Sequence, residues 1–109
     1  MSQPITIQVL ERARLIVADP TRWTRGTFAR TKTGRVVSTF NDSAYKFCAM
    51  GALLLAAFEL TGDAGSASQI LEKTAKVLSP TGSLTLINDY QGHAAVLDLF
   101  DRTLASLRG

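Results

Sequence analysis

A single cysteine, Cys48, and a single histidine, His93, serve the whole chain of 109 residues. One cysteine cannot close an internal disulfide, which points to a reducing compartment and, by default, the cytoplasm. One cysteine and one histidine also fall short of the three or four protein ligands a zinc site wants, so no metal is expected. Only three prolines interrupt a chain that is 46% hydrophobic, a balance that excludes intrinsic disorder. Long apolar runs are missing too. The stretch 49–58 is far shorter than the roughly 20 residues that cross a bilayer, and Glu59 closes it. The opening MSQPITIQ has no basic start, apolar block or small-residue cleavage site, so it does not read as a secretory leader. No cofactor is expected either: GALLLAAF, from Gly51 to Phe58, lacks the Gly-Lys-Ser/Thr arrangement of a phosphate loop.

What is present begins with the segment DSAYKFCAMGALLLAAFELT, from Asp42 to Thr61. On a helical wheel Ala44, Phe47, Cys48, Gly51, Leu54, Leu55 and Phe58 make one apolar face. The opposite side, with Ala49, Ala52, Leu53, Ala56, Ala57 and Leu60, is scarcely more polar, which is the pattern of a buried helix. Asp42, Asn41 or Ser43 would cap its start, and Gly62 would end it in the left-handed conformation. The fold class that follows is mainly α, an α+β single domain over 1–109. About four helices pack around the buried central helix at about 43–60, and a small β-hairpin occupies about 27–38.

The remaining elements fall around that helix. Val9, Leu10, Ala13, Ile16 and Val17 share one face of a helix over 5–18, which Asp19-Pro20 terminates. Thr21 to Gly26 reads as a turn that presents Trp23. In TFARTKTGRVVSTF the preference changes to extended chain, with Lys32-Thr33-Gly34 as the turn and Phe28, Val36 or Val37 leaning on the core. Ser66 with Gln69 three residues later predicts the start of a helix that runs to about Leu78. LTLIN, after Ser79-Pro80-Thr81-Gly82, is compatible with a short strand or a helical turn. A last helix over 93–107 turns Val96, Leu97, Phe100, Leu104 and Leu107 inward.

Taken together, WTRGTFAR, Gly34, FCAMGALLLAA, Ile87-Asn88-Asp89 and HAAVLDLFDR resemble an uncharacterised family of small bacterial and phage proteins. Its pattern is a Trp-x-x-Gly segment, an Asp/Gly turn, a Cys-x-x-Gly-Ala helix, an Asn-Asp pair and a terminal helix. Lys32-Thr33-Gly34 stands where the family more often has Asp and Gly, and the loop between Asp89 and His93 is short. The resemblance implies the boundaries and flags Trp23, Gly26, Cys48, Gly51, Asn88 and Asp89, but implies no reaction.

Charge supplies the clearest functional clue. Arg22, Arg25, Arg30, Lys32 and Arg35 lie between Pro20 and Asn41 with no acid among them, a local +5 that leaves −2 for the rest of a chain of net charge +3. With Trp23 for stacking and Asn88 beside them, these residues are candidates to bind an anionic ligand, nucleic acid or an acidic protein surface. The plainer reading is a solvated hairpin whose charges discourage edge pairing. A second class is a hydrolase built on Cys48 and His93 with Asp89 orienting. It is weakened by the apolar setting of Cys48, which favours an inert buried thiol. Asn88-Asp89 also reads as a turn or cap. A third class is a structural or oligomeric interaction protein, such as a homo-oligomer, that buries exposed helix faces, for which the phage members of the resembled family imply a host-interaction role. The leading expectation is a small non-enzymatic binding or regulatory protein.

Overall fold

The computed structural model describes residues 4–109. The leader expectation rests partly on residues 1–3, which lie outside the described residues. Along the chain come α1 (Ile5–Val17), a 3-10 turn (Pro20–Arg22), β1 (Ala29–Thr31) and β2 (Ala44–Phe47). After these follow α2 (Ala49–Thr61), α3 (Ala64–Leu78), the single turn α4 (Leu84–Leu86), a π turn (Ile87–Gln91) and α5 (His93–Leu107). The fold is α+β and mostly helical, as the periodicity predicts.

α2 packs against α1 and α3, and α5 packs against the same two helices. Ala49, Ala52, Leu53, Ala56 and Ala57 of α2 meet Val9, Leu10, Ala13 and Val17 of α1 in one core, which Val96, Phe100 and Leu104 of α5 complete. Burying each large apolar side chain contributes about 1.5–3 kcal/mol. The central helix is not wrapped evenly. Leu54, Leu55 and Phe58 are only half-buried, and Phe58 is covered by Phe40 from the preceding loop, ring centres 4.7 Å apart.

Three sequence expectations move. The central helix starts at Ala49 rather than at about residue 43: Cys48 is its N-cap, Sγ accepting from the Gly51 N–H at 3.3 Å. Residues 44–47 are strand instead, since Tyr45 and Phe47 suit extended chain and β1 offers them a partner. The hairpin also changes partner. The turn at Lys32-Thr33-Gly34 is real, closed by Thr31 N–H to Arg35 O (2.8 Å) and Gly34 N–H to Thr31 O (2.9 Å), but the chain returning from it makes only an isolated bridge, Arg30 to Val36. The ladder of β1 runs antiparallel to β2, with Ala29 opposite Phe47, Arg30 opposite Lys46 and Thr31 opposite Ala44. That register skips Tyr45, so a bulge frees its carbonyl from the ladder. Finally, α3 is capped by Asp63, whose carboxylate accepts from the Ser66 N–H at 2.8 Å, rather than by Ser66. That hydrogen bond holds the Asp63 carboxyl below its usual range.

LTLIN resolves as a helical turn that widens. Leu84 is buried, Leu86 is exposed, and the Gly92 N–H reaches the Ile87 carbonyl five residues back. Val37, not Val36, leans on the core.

Gly51 has a specific task. The Phe28 carbonyl, which accepts from the Cys48 N–H at 3.1 Å, lies so close that a Cβ on residue 51 would sit 2.1 Å from it. Because the obstacle is backbone, Gly51→Ala should cost about 1–3 kcal/mol or more through forced displacement of β1. Urea denaturation measures this, and a change under about 0.5 kcal/mol would show that β1 gives way freely.

Candidate functional site

The loop after the 3-10 turn runs alongside the end of β2, where Trp23 bridges Phe47 and the Thr24 N–H donates to the Phe47 carbonyl at 3.1 Å. This delivers Trp23 and Thr24 to the π turn, where Asn88 waits at 1% exposure. Asn88 Oδ1 accepts from Trp23 Nε1 at 2.8 Å and from the Ala49 N–H at 3.0 Å. Its Nδ2 donates to the Thr24 carbonyl and to Asp89 Oδ1, both at 3.0 Å. Both partners of the oxygen can only donate and both partners of the nitrogen only accept, which fixes the amide's orientation. Asp89 continues the network: Oδ1 accepts from the Gly26 N–H at 3.0 Å, and its carbonyl accepts from Arg25 at 3.1 Å. Trp23, Arg25, Asn88 and His93 thus converge, with the Arg25 guanidinium 5.1 Å from the Trp23 ring and the His93 ring 5.6 Å from it. They form a packed junction more than an open pocket.

Cys48 and His93 enter this junction through separate bonds. His93 Nε2 lies 2.6 Å from the Val17 carbonyl, an acceptor, so Nε2 carries the proton and secures the end of α1 to the start of α5. Burial pushes the Cys48 thiol up; the Gly51 N–H offsets part of the rise and the charge of Asp89 adds to it. Among the described residues no hydrogen bond joins Cys48 to His93. A small cavity of about 130 Å³ does touch Cys48, Thr85, Asn88 and Asp89. The arrangement does little to ready a thiolate for attack.

The basic residues separate into two kinds. Arg30 is built into the loop: Nε donates to Thr24 Oγ1 (3.0 Å), one terminal nitrogen to the Gly34 carbonyl (3.1 Å) and the other to the Arg25 carbonyl (3.3 Å). Arg22, Arg25, Lys32 and Arg35 keep donors to spare. Arg22 Nε donates at 2.7 Å to the Tyr45 carbonyl that the bulge frees, and its guanidinium lies 4.5 Å from the Tyr45 ring centre. Lys32 Nζ is 5.6 Å from the same ring. Among the described residues none of the five lies within ion-pair distance of a carboxylate. By contrast Arg12 pairs with Glu59, Arg14 with Asp101, Arg102 with Asp98 and Arg108 with Glu11.

Trp23 is therefore not the free stacking surface its sequence position suggests, since Arg25 and His93 already lie against its ring. Residues outside the charge pattern matter as well. Thr31, Lys32, Thr33, Arg35 and Ser43 line an open depression of about 290 Å³. Ser43 and Tyr45 escape sequence reasoning because they sit in a stretch that continues the apolar wheel of α2. A Tyr-Lys-Phe alternation is the only local sign of strand there.

A family model described as a family of unknown function (DUF6197) matches residues 1–106, and the chain belongs to that family. No curated protein and no solved structure matches it. Among the described residues no helix is long and apolar enough to cross a membrane.

Removing the Asn88 amide leaves a part-buried indole N–H, a helix N-terminal N–H and a carbonyl without partners. Asn88→Ala should therefore cost about 3 kcal/mol or more, read as a lowered urea midpoint. An effect under about 1 kcal/mol would mean that water replaces the amide. Native Cys48 should resist a thiol reagent at neutral pH and react on denaturation. Rapid labelling of folded protein would return the hydrolase to contention.

Proposed function

We propose that this member of a family without an assigned activity is a non-enzymatic binding protein that engages an anionic partner through the segment Arg22–Arg35. One contrast carries the reading. Every arginine outside that segment pairs with a carboxylate, whereas among the described residues none within it does. Nine acids are present in the chain, so the lack of ion-pair partners for the segment among the described residues reflects placement rather than shortage.

The local structure supports the same reading. Unpaired cations repel one another, and long side chains lose rotamer entropy when fixed. Here Arg22 is held by the Tyr45 carbonyl and ring, and Arg25 by the Asp89 carbonyl and the Trp23 ring, each with N–H groups left unused among the described residues. Preorganised guanidinium groups of this kind bind carboxylate or phosphate through paired donors. Nucleic acid, a nucleotide-like ligand and an acidic protein surface all present such groups. A cytoplasmic setting accords with the reading, because nucleic acids and nucleotides are abundant there and a lone thiol stays reduced.

The test is binding of the full chain to a fluorescent oligothymidylate and to polyglutamate across a sodium chloride series. Affinity should fall as salt rises, with log Kd linear in log salt. Combining Arg22→Gln with Arg25→Gln should lower the slope by about one to two for the anion bound, while Arg102→Ala leaves it unchanged. Failure of both polyanions and of a free nucleotide such as ATP to bind at low salt would defeat the proposal.

A further inference from the structure

The depression beside the 31–35 turn has a more specific chemistry than the segment as a whole. We infer that it is a seat for a single phosphate group, an inference that rests on the anion-binding reading above. Thr31, Lys32, Thr33, Arg35 and Ser43 line it, and no carboxylate does. Asp42, next to Ser43 in sequence, is not part of the lining and pairs with none of the basic groups among the described residues.

Its lining carries two cationic groups and three hydroxyls, every one of which can donate. Thr31 Oγ1 accepts from the Arg35 N–H at 3.1 Å and lies 3.1 Å from Thr33 Oγ1. One bond between two hydroxyls uses one of their two hydrogens, so a second is left for a ligand whichever way the pair is oriented. The Ser43 backbone N–H goes to Asn41 Oδ1 at 2.8 Å, and its hydroxyl makes no hydrogen bond among the described residues. Among the described residues neither the Lys32 ammonium nor the Arg35 guanidinium donates to a protein acceptor. The residues that line this space of about 290 Å³ carry two full positive charges and two spare hydroxyl hydrogens. A tetrahedral oxyanion has the oxygens to meet them: two for the planar guanidinium, the others for ammonium and hydroxyls.

The neighbouring aromatic rings decide against recognition of a base. Arg22 and Lys32 lie over Tyr45, and Arg25 and His93 lie against Trp23, so both rings hold protein groups and neither stands bare for stacking. The ligand is recognised by its phosphate, which a nucleic acid backbone or a small phosphorylated molecule would both supply.

Amide NMR spectra of the full chain, titrated with inorganic phosphate at ionic strength held by sodium chloride, test the seat directly. Saturable shifts should centre on residues 31–35 and 43. Lys32→Ala with Arg35→Ala should weaken them by about tenfold or more. Ser43→Ala, which leaves every charge in place, should weaken them about threefold, and Arg102→Ala should leave them unchanged. Shifts scattered over all basic residues, or no response to Lys32→Ala with Arg35→Ala beyond that of Arg102→Ala, would overturn the seat. Salt-dependent oligothymidylate binding in that case would leave the broader reading standing. Localised phosphate shifts without binding of either polyanion would instead uphold the seat, assign it to a small phosphorylated molecule and remove the macromolecular partner.

Discussion

One buried amide holds three separate parts of this chain in register. Asn88 joins the loop at Trp23 and Thr24, the first turn of α2 at Ala49, and the π turn on which it sits. A helix N-terminus leaves N–H groups that the helix cannot satisfy, and here an oxygen from 39 residues away satisfies one of them. The same oxygen takes the indole N–H, so Trp23 is fixed in the same act. Without that bond a part-buried indole N–H would lose its acceptor, and the desolvation it has undergone would not be recovered. The wide turn over Ile87–Gln91 brings the amide to that position, an example of a π segment found where side chains must be aimed.

Around this junction the aromatic residues serve the cations. Tyr45 is set outside the ladder by the bulge, which gives Arg22 a carbonyl and a ring at once. Trp23 offers its ring to Arg25 in the same way. Such contacts are each modest, roughly 0.5–1 kcal/mol at exposed sites, yet they limit where a long side chain can go. Arg30 is the exception within the segment, since its donors point into the loop and shape the turn that carries Lys32 and Arg35.

The helices α1, α3 and α5 were legible because a period of 3.6 repeats over thirteen to fifteen residues in each. The start of α2 was not. Ala44 and Phe47 extend the apolar wheel as readily as they line a strand, and only pairing with Ala29–Thr31 decides between the two. That pairing is non-local, so no window of sequence contains it. Local order misled at α3 as well: Asp63 and Ser66 are both good caps, and the left-handed Gly62 just before Asp63 selects the earlier one. The charge asymmetry of 20–41 was plain, but its division into Arg30 and the rest depends on which carbonyls the folded loop presents. Asn88 read as a turn former, since nothing near it in sequence reveals Ala49.

The contact between Gly51 and the Phe28 carbonyl joins α2 to the basic turn without any side chain between them. Side chains can change rotamer to absorb a small displacement; two backbones in contact cannot. The strand that leads into the turn is therefore geared to the hydrophobic interior. A ligand that stiffens the turn would slow hydrogen exchange in the opening turn of α2, so occupancy at the surface would register as protection deep inside the molecule.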